Sequence, residues 1–374
     1  MDPKIGTLEI ERFRALRKLR IEGLGRVNLI TGRNNTGKSS ILEALRIFAS
    51  NASTPVVAGI LRHREEDRFE SDGTLEAEEG QDFSAISSLF TGLPVLGEDM
   101  GQISIATRGP GQRQYLTLSV DRFAEQSEDD GTRRLVPPEG AISPEAELIL
   151  ALTIKTETSR RVRRLEAIRR YLLRPTSSNF PEIPRLPCVY VSPFGSATTG
   201  ALGPLWDNIA LSDLEKEVVE ALRIITPEII AVSVIGGEAP RRTRTAIVRS
   251  STFARPVPLH SYGDGLNRLF GILLSLVNAK DGLLLIDEIE NGMHYSVQAD
   301  LWRVIFTLSR RLNVQVFATS HSWDSVESFQ QAANEDPAEK GVLIRLSRRG
   351  DDIVPTILRE DELAIASRNR IEVR

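Results

Sequence analysis

Apolar residues follow two rhythms along this chain, and the change from one to the other marks its organisation. At the start, Ile5–Phe13 and Leu19–Ile21 alternate as half-buried strands, and Val27-Asn28-Leu29-Ile30 is a buried strand. From Ser39 to about Ala49, the 3–4 spacing of Ile41, Leu42, Leu45 and Phe48 predicts a helix. Residues 50–82 are mixed and charged and predict a loop with a short helix, and Ser84–Phe90 predicts a further helical turn. From Gly101 the period becomes two, and Gln102–Thr107 and Gln114–Val120 predict antiparallel strands. Ala124–Pro138 is polar and Gly/Pro-punctuated, hence a loop; Glu145–Thr156 fits a strand or a helix; Pro181–Pro187 is a linker. Leu211–Ile225, opened by Ser212-Asp213, predicts an amphipathic helix, and Ile229–Ile235 and Arg244–Ser250 predict strands. The last third alternates helix and buried strand. Its helices are Leu266–Val277, Val297–Leu308 and Ser325–Ala333, its strands Leu283–Ile286 and Val314–Thr319, and Val342–Leu346 with Ile353–Leu358 forms a closing hairpin.

At 374 residues the chain exceeds the ~250–300 at which one core usually stops growing, so it holds either one large α/β domain with an inserted lobe or two domains. A hydrophobic fraction of 41% suffices for that core, and a net charge of −4 gives no overall pull toward nucleic acid. The single cysteine, Cys188, excludes an intramolecular disulfide and a cysteine zinc cluster; in Leu186-Pro187-Cys188-Val189-Tyr190-Val191 it reads as an inert thiol in a buried strand. No apolar run reaches the ~18–20 residues of a membrane span and no leader pattern opens the chain, so the expected compartment is the cytoplasm.

Three segments carry the chemistry. Gly32-Arg33-Asn34-Asn35-Thr36-Gly37-Lys38-Ser39 is a complete G-x-x-x-x-G-K-[ST] phosphate loop, with a strand before it and a helix after it as the motif requires. Its backbone N–H groups can surround phosphates, Lys38 supplies charge, the Ser39 hydroxyl can hold Mg²⁺, and the helix dipole favours the anion. Leu283-Leu284-Leu285-Ile286-Asp287-Glu288 is an apolar strand ending in two carboxylates, where ligands bind in an α/β sheet. Asp287 would bind Mg²⁺, and Glu288 would orient or deprotonate the attacking water. Ser261-Tyr262-Gly263-Asp264-Gly265 opens a helix; alone such a turn is a cap, but here it stands 22 residues before Asp287, which is itself 250 residues after Gly37. His321, in Ala318-Thr319-Ser320-His321, ends another strand and could contact a terminal phosphate. Finally, Ser159–Arg170 carries six arginines, with Arg174 beyond; they suit nucleic-acid phosphates or form a solvated or protein-contact face.

Together these residues resemble ATP-binding-cassette (ABC-type) ATPase heads of the SMC/RecF/OLD type, in the bacterial AAA family ATPase group with an AAA-15/AAA-21-like domain. The likeness rests on Glu11-Arg12-Phe13-Arg14, on Gly25 through Leu45, on Ile286 through Ser296, on Leu205-Trp206-Asp207-Asn208-Ile209 and on the terminal Ile371-Glu372-Val373-Arg374. It implies an α/β P-loop NTPase fold with ABC-ATPase head architecture, a mixed central sheet with an antiparallel β lobe and a helical insertion. Residues 1–120 would form the N-terminal part of the head, 121–255 an inserted lobe, and 256–374 the C-terminal part. ATP and Mg²⁺ would be the cofactors. Arg14, Asn34, Asn35, Thr36, Gly37, Lys38, Ser39 and Ser40 would bind nucleotide, Phe13-Arg14 lying near adenine or ribose. Ser261, Gly263 and Gly265 would form the signature motif, Ser39 and Asp287 hold the metal, Glu288, Lys38 and His321 act in catalysis, and Glu290–His294 form a D-loop crossing a dimer interface. Two departures stand out. Neither Gln81 nor Gln102 suits the family's Q-loop glutamine, and the chain has neither the TOPRIM nuclease domain of OLD proteins nor the coiled coil of SMC proteins.

The reading that follows is an ATP-hydrolysing homodimer or higher oligomer that controls a separately encoded effector, a TOPRIM-like nuclease in phage defence, with no membrane partner. The alternatives are a RecF-like DNA-binding clamp and an ATP-dependent scaffold that does not hydrolyse.

Overall fold

The computed structural model describes residues 2–66, 75–127, 133–138, 148–173, 183–193, 202–236, 244–335 and 341–358. The terminal segment Ile371–Arg374 and Arg174 lie outside them. The elements run β1 (Thr7–Phe13), β2 (Leu16–Glu22), β3 (Val27–Gly32), α1 (Lys38–Ala49), α2 (Thr54–His63), α3 (Leu75–Ser87), β4 (Ile103–Arg108), β5 (Arg113–Ser127), β6 (Arg133–Val136), β7 (Leu148–Thr156), β8 (Arg160–Arg164) and α4 (Leu165–Leu173). Then come β9 (Cys188–Val191), α5 (Gly203–Asp207), α6 (Asp213–Ile225), β10 (Ile229–Ile235), β11 (Thr245–Ser250), β12 (Val257–Pro258), a 3-10 turn Leu259–Tyr262, α7 (Asp264–Asn278), β13 (Leu283–Ile286), α8 (Tyr295–Arg311), β14 (Gln315–Thr319), α9 (Trp323–Glu335), β15 (Gly341–Arg349) and β16 (Asp352–Leu358).

Three sheets organise them. The central sheet runs β16-β15-β3-β14-β13-β9, parallel except for the β15/β16 hairpin. Its inner strands β3, β13 and β14 are buried along their whole length, as expected of parallel strands covered on both faces. The second sheet, β2-β1-β4-β5-β7-β8 with β6 beside β5, is antiparallel throughout. The third is the antiparallel trio β10-β11-β12. One core cluster fills the space between the central sheet and α6–α9; the other joins the antiparallel lobe to α1 and α2 through Phe48, Ile41 and Leu45. Gln315, at the start of β14, ties the lobe to the centre: its side chain accepts from Ile5 N–H (2.9 Å) and donates to the carbonyls of Ile5 and Gly25 (both 2.8 Å).

This is the α/β P-loop architecture expected from the sequence, with several corrections. Ala124–Pro138 is not all loop: β5 continues to Ser127 and pairs with β6. One face of an antiparallel ribbon faces water, so polar composition there does not exclude strands. Glu145–Thr156 resolves as the strand β7 from Leu148. Residues 50–82 contain most of two helices rather than mainly loop. Residue 120 lies within the continuous strand β5, and residues 121–255 hold β10 and β11, which β12 completes as a three-stranded sheet.

Candidate functional site

The phosphate loop leaves β3 and enters α1 through backbone that needs its glycines. Gly32 has φ +148, and a Cβ there would lie 2.6 Å from the Leu346 carbonyl oxygen. Gly37, the N-cap of α1, has φ +81, and a Cβ would meet Leu16 Cδ2 at 2.8 Å. Asn35 is also left-handed, at φ +61. The turn aims the free N–H groups of the first turn of α1 into a cavity of about 700 Å³. Asn34, Asn35, Thr36, Gly37, Lys38, Ser39 and Ser40 line it with Asp287 and Glu288, as do Arg14, Ala15, Phe90, Gly92 and Leu93.

Lys38 Nζ donates to the Gly32 and Arg33 carbonyls (2.7 and 3.0 Å). Burial lowers its pKa below the ordinary value, opposed by Asp287, Glu288 and Glu290. Asp287 is the hub. Buried at the end of β13, its Oδ1 accepts from Ser39 Oγ (3.1 Å) and Thr319 Oγ1 (2.5 Å), and the Tyr190 hydroxyl donates to Oδ2 (3.4 Å). Burial, then Asp287 itself, raises the Tyr190 pKa. The Ser39–Asp287 spacing suits a small hard cation, because adjacent ligands of an octahedral Mg²⁺ at ~2.1 Å stand ~3 Å apart. Among the described residues no cluster of three His, Cys, Asp or Glu side chains offers a metal cage.

Glu288 has a left-handed backbone (φ +48); its N–H donates to Thr319 Oγ1 (2.8 Å), and Asn291 Nδ2 donates to its Oε2 (2.6 Å). Such backbone is costly for a non-glycine residue and here turns the carboxylate toward the cavity. His321 stands beside it. Its backbone N–H donates to Glu290 Oε1 (2.9 Å), and Nδ1 lies 3.1 Å from Glu290 and 3.9 Å from Glu288. Arg14 (φ +51) is clamped by Glu43 (2.6 Å) and Glu66 (2.7 Å), so its guanidinium is already paired at the cavity wall.

Ser261 and Gly263 are exposed and, with Gly265, stand outside the wall of this cavity. A Cβ on Gly265 would lie 3.2 Å from the Gly292 carbonyl oxygen, so the Ser/Gly turn packs on the Glu290–His294 segment. Thr319, Tyr190 and Arg268 were given no role in the sequence, and Glu290 and Asn291, expected as part of a D-loop, also bond His321 and Glu288. Arg268, on α7, donates to the carbonyls of Asp287 (3.2 Å), Glu288 (3.3 Å) and Ser192 (2.6 Å). Thr319 ends the buried parallel strand β14, and Tyr190 lies near the end of the half-buried parallel strand β9.

Residues 27–326 match the family described as "AAA domain, putative AbiEii toxin, Type IV TA system". A protein of Helicobacter pylori named ATP/GTP phosphatase is 24% identical over 381 residues, covering 94% of each chain. An uncharacterised protein of Methanocaldococcus jannaschii is 54% identical over 46 residues, 12% of this chain and 21% of that one. Among solved structures, the SMC head domain from Thermotoga maritima is 12% identical with a TM-score of 0.47, over 95% of this chain and 99% of that one. An SMC head bound to the C-terminal winged-helix domain of ScpA is 13% identical with a TM-score of 0.49, over 96% and 98%.

Proposed function

The chain belongs to this AAA-domain family and is an ATPase of it, and from that premise we propose that it hydrolyses ATP in a head-to-tail pair of subunits, thereby switching a separately encoded effector, a nuclease acting in phage defence. One observation carries the site assignment. The buried Asp287 carboxylate receives the hydroxyl of Ser39 from the phosphate loop and that of Thr319 from the strand between them. Three segments far apart in sequence thus meet where the terminal phosphate and its metal would lie.

In this reading the loop N–H groups and Lys38 hold the phosphates. Ser39 and Asp287 hold Mg²⁺, which when bound neutralises phosphate charge. Glu288, oriented by Asn291 and the Thr319 hydroxyl, accepts the proton of the attacking water. His321, braced by Glu290, contacts the γ-phosphate. The exposed Ser261–Gly265 turn at the start of α7 caps the ATP held by a second subunit. The family's description as a toxin–antitoxin system supports a partner protein as the output.

Glu288→Gln should bind ATP, hydrolyse it at least ~10²-fold more slowly, and accumulate as a closed dimer. Near-normal turnover would assign the water to another residue, and a monomer by light scattering under saturating ATP would discard the dimer. Mixing Lys38→Ala with Ser261→Arg subunits tests the composite site. Both lesions can fall in one site of the heterodimer, so activity should partly recover where each homodimer is dead. Heterodimers that form but stay inactive would refute independent sites completed in trans.

A second reading, the DNA clamp, is favoured by one feature. Arg134, Arg160, Arg163 and Arg164 gather around a cleft of about 560 Å³ on the antiparallel lobe. Arg164 pairs with Glu125 and Arg161 with the Asn51 carbonyl, so part of this run is structural.

A further inference from the structure

Strand β9 is an edge of the central sheet, and beside it opens a cleft of about 360 Å³ between α1 and α2 on one side and α7 on the other. Two guanidiniums, Arg46 and Arg268, line it with His63, Tyr190, Ser192 and Ser275, and no lining residue among those described is acidic. Arg268 is 8% exposed, and its Nε has no hydrogen-bond partner although its other nitrogens are used. Arg46 stacks on the Tyr190 ring, 4.1 Å from its centroid, and has no hydrogen-bond acceptor among the described residues. Burial lowers the pKa of both. Desolvated cations with unused donors are costly unless an anion completes them. The volume is that of a small-molecule site, and two guanidinium forks with two hydroxyls suit a phosphate group.

We propose that this cleft is a second oxyanion site, distinct from the phosphate loop, that takes a small phosphate-bearing ligand and alters ATP turnover when filled. Its walls explain how it would report. The Tyr190 hydroxyl donates to Asp287 Oδ2, and Arg268 donates to the Asp287 and Glu288 carbonyls. A ligand that draws Arg46 off Tyr190 or engages Arg268 therefore acts on the two carboxylates that the ATPase reading uses.

The experiment titrates inorganic phosphate, and separately pyrophosphate, into the full chain saturated with a magnesium complex of a non-hydrolysable ATP analogue, which blocks the phosphate loop. Calorimetry should show one additional site for at least one probe, weakened ~10-fold or more in Arg46→Gln, the scale of a lost charge-assisted hydrogen bond. Gly59→Asp is the second variant. Its Cβ would stand 3.9 Å from Arg46 Nη2 with room to spare, and the new carboxylate should occupy the site from within and abolish binding. The same probe should change kcat at saturating ATP in the wild type but not in either variant. No binding of either probe, equal binding in wild type and Arg46→Gln, or a kcat effect that survives both substitutions would overturn the proposal. Loss of basal turnover in Glu288→Gln tests the ATPase site separately.

Discussion

Replacing Thr319 by valine tests the metal and water geometry without touching a residue that would contact nucleotide. The side chain is fully buried and its hydroxyl has two jobs: it donates to Asp287 Oδ1 at 2.5 Å and accepts from the Glu288 N–H at 2.8 Å. Valine keeps the volume and removes both bonds. Losing a hydrogen bond to a charged group costs ~1.5–3 kcal/mol, and a donor left buried and unpaired costs ~1–3 kcal/mol more. A stability loss of about 3 kcal/mol or more by urea unfolding is expected. With Asp287 released on one side, the Mg²⁺ concentration for half-maximal ATPase activity should rise ~10–100-fold, the scale for a lost partner of a metal ligand. Thr319→Ser keeps the hydroxyl and drops one methyl group, so it should cost ~1 kcal/mol and leave the Mg²⁺ dependence near wild type. A valine variant with wild-type Mg²⁺ dependence would refute the reasoning, because Thr319 would then be packing alone.

Two smaller predictions probe other parts of the molecule. Burial pushes the Cys188 thiol up to about 12, so at pH 8 it should react with a small disulfide reagent ~10²-fold more slowly than a free cysteine; equal rates would place the thiol in water. For the DNA reading, Arg160 and Arg163, which line the cleft on the antiparallel lobe, are the targets. Replacing both by Gln should lower the slope of log affinity against log salt by up to ~1.8, and an unmoved slope would remove them from any DNA contact.

How far the sequence reached depended on the range of the interactions. The phosphate loop and the strand before Asp287 are local patterns, a run of aliphatics meeting a turn, and Lys38, Ser39, Asp287 and Glu288 do line one cavity. The Ser261 turn was legible as a helix start, while its packing on Gly292 was not. Thr319 and Tyr190 were passed over because one hydroxyl at a strand end carries no signal until the strand order is known. Here β14 and β9 both flank β13, so both hydroxyls arrive at Asp287. Arg268 was hidden in an apolar helix, where burial and three carbonyl partners explain it only in three dimensions. The arginine run was read as one surface, whereas the fold divides it between an edge strand and a helix and uses some members as ion-pair partners.

The strand order of the central sheet also sets a timetable for biosynthesis. β3, which carries the phosphate loop, is buried on both sides by β14 and β15, and these are among the last strands to leave the ribosome. Between Lys38 and Thr319 lie 281 residues of chain growth, about 15–60 s at ~5–20 residues per second. For that interval Val27–Ile30 is an apolar strand with both edges unpaired, the kind of segment that aggregates when exposed. The antiparallel lobe, complete by Arg164, and its anchor α1 can bury one face of β3 early. Its two edges stay open until the C-terminal third is made, and the Ser39–Asp287 contact cannot form before Asp287 emerges.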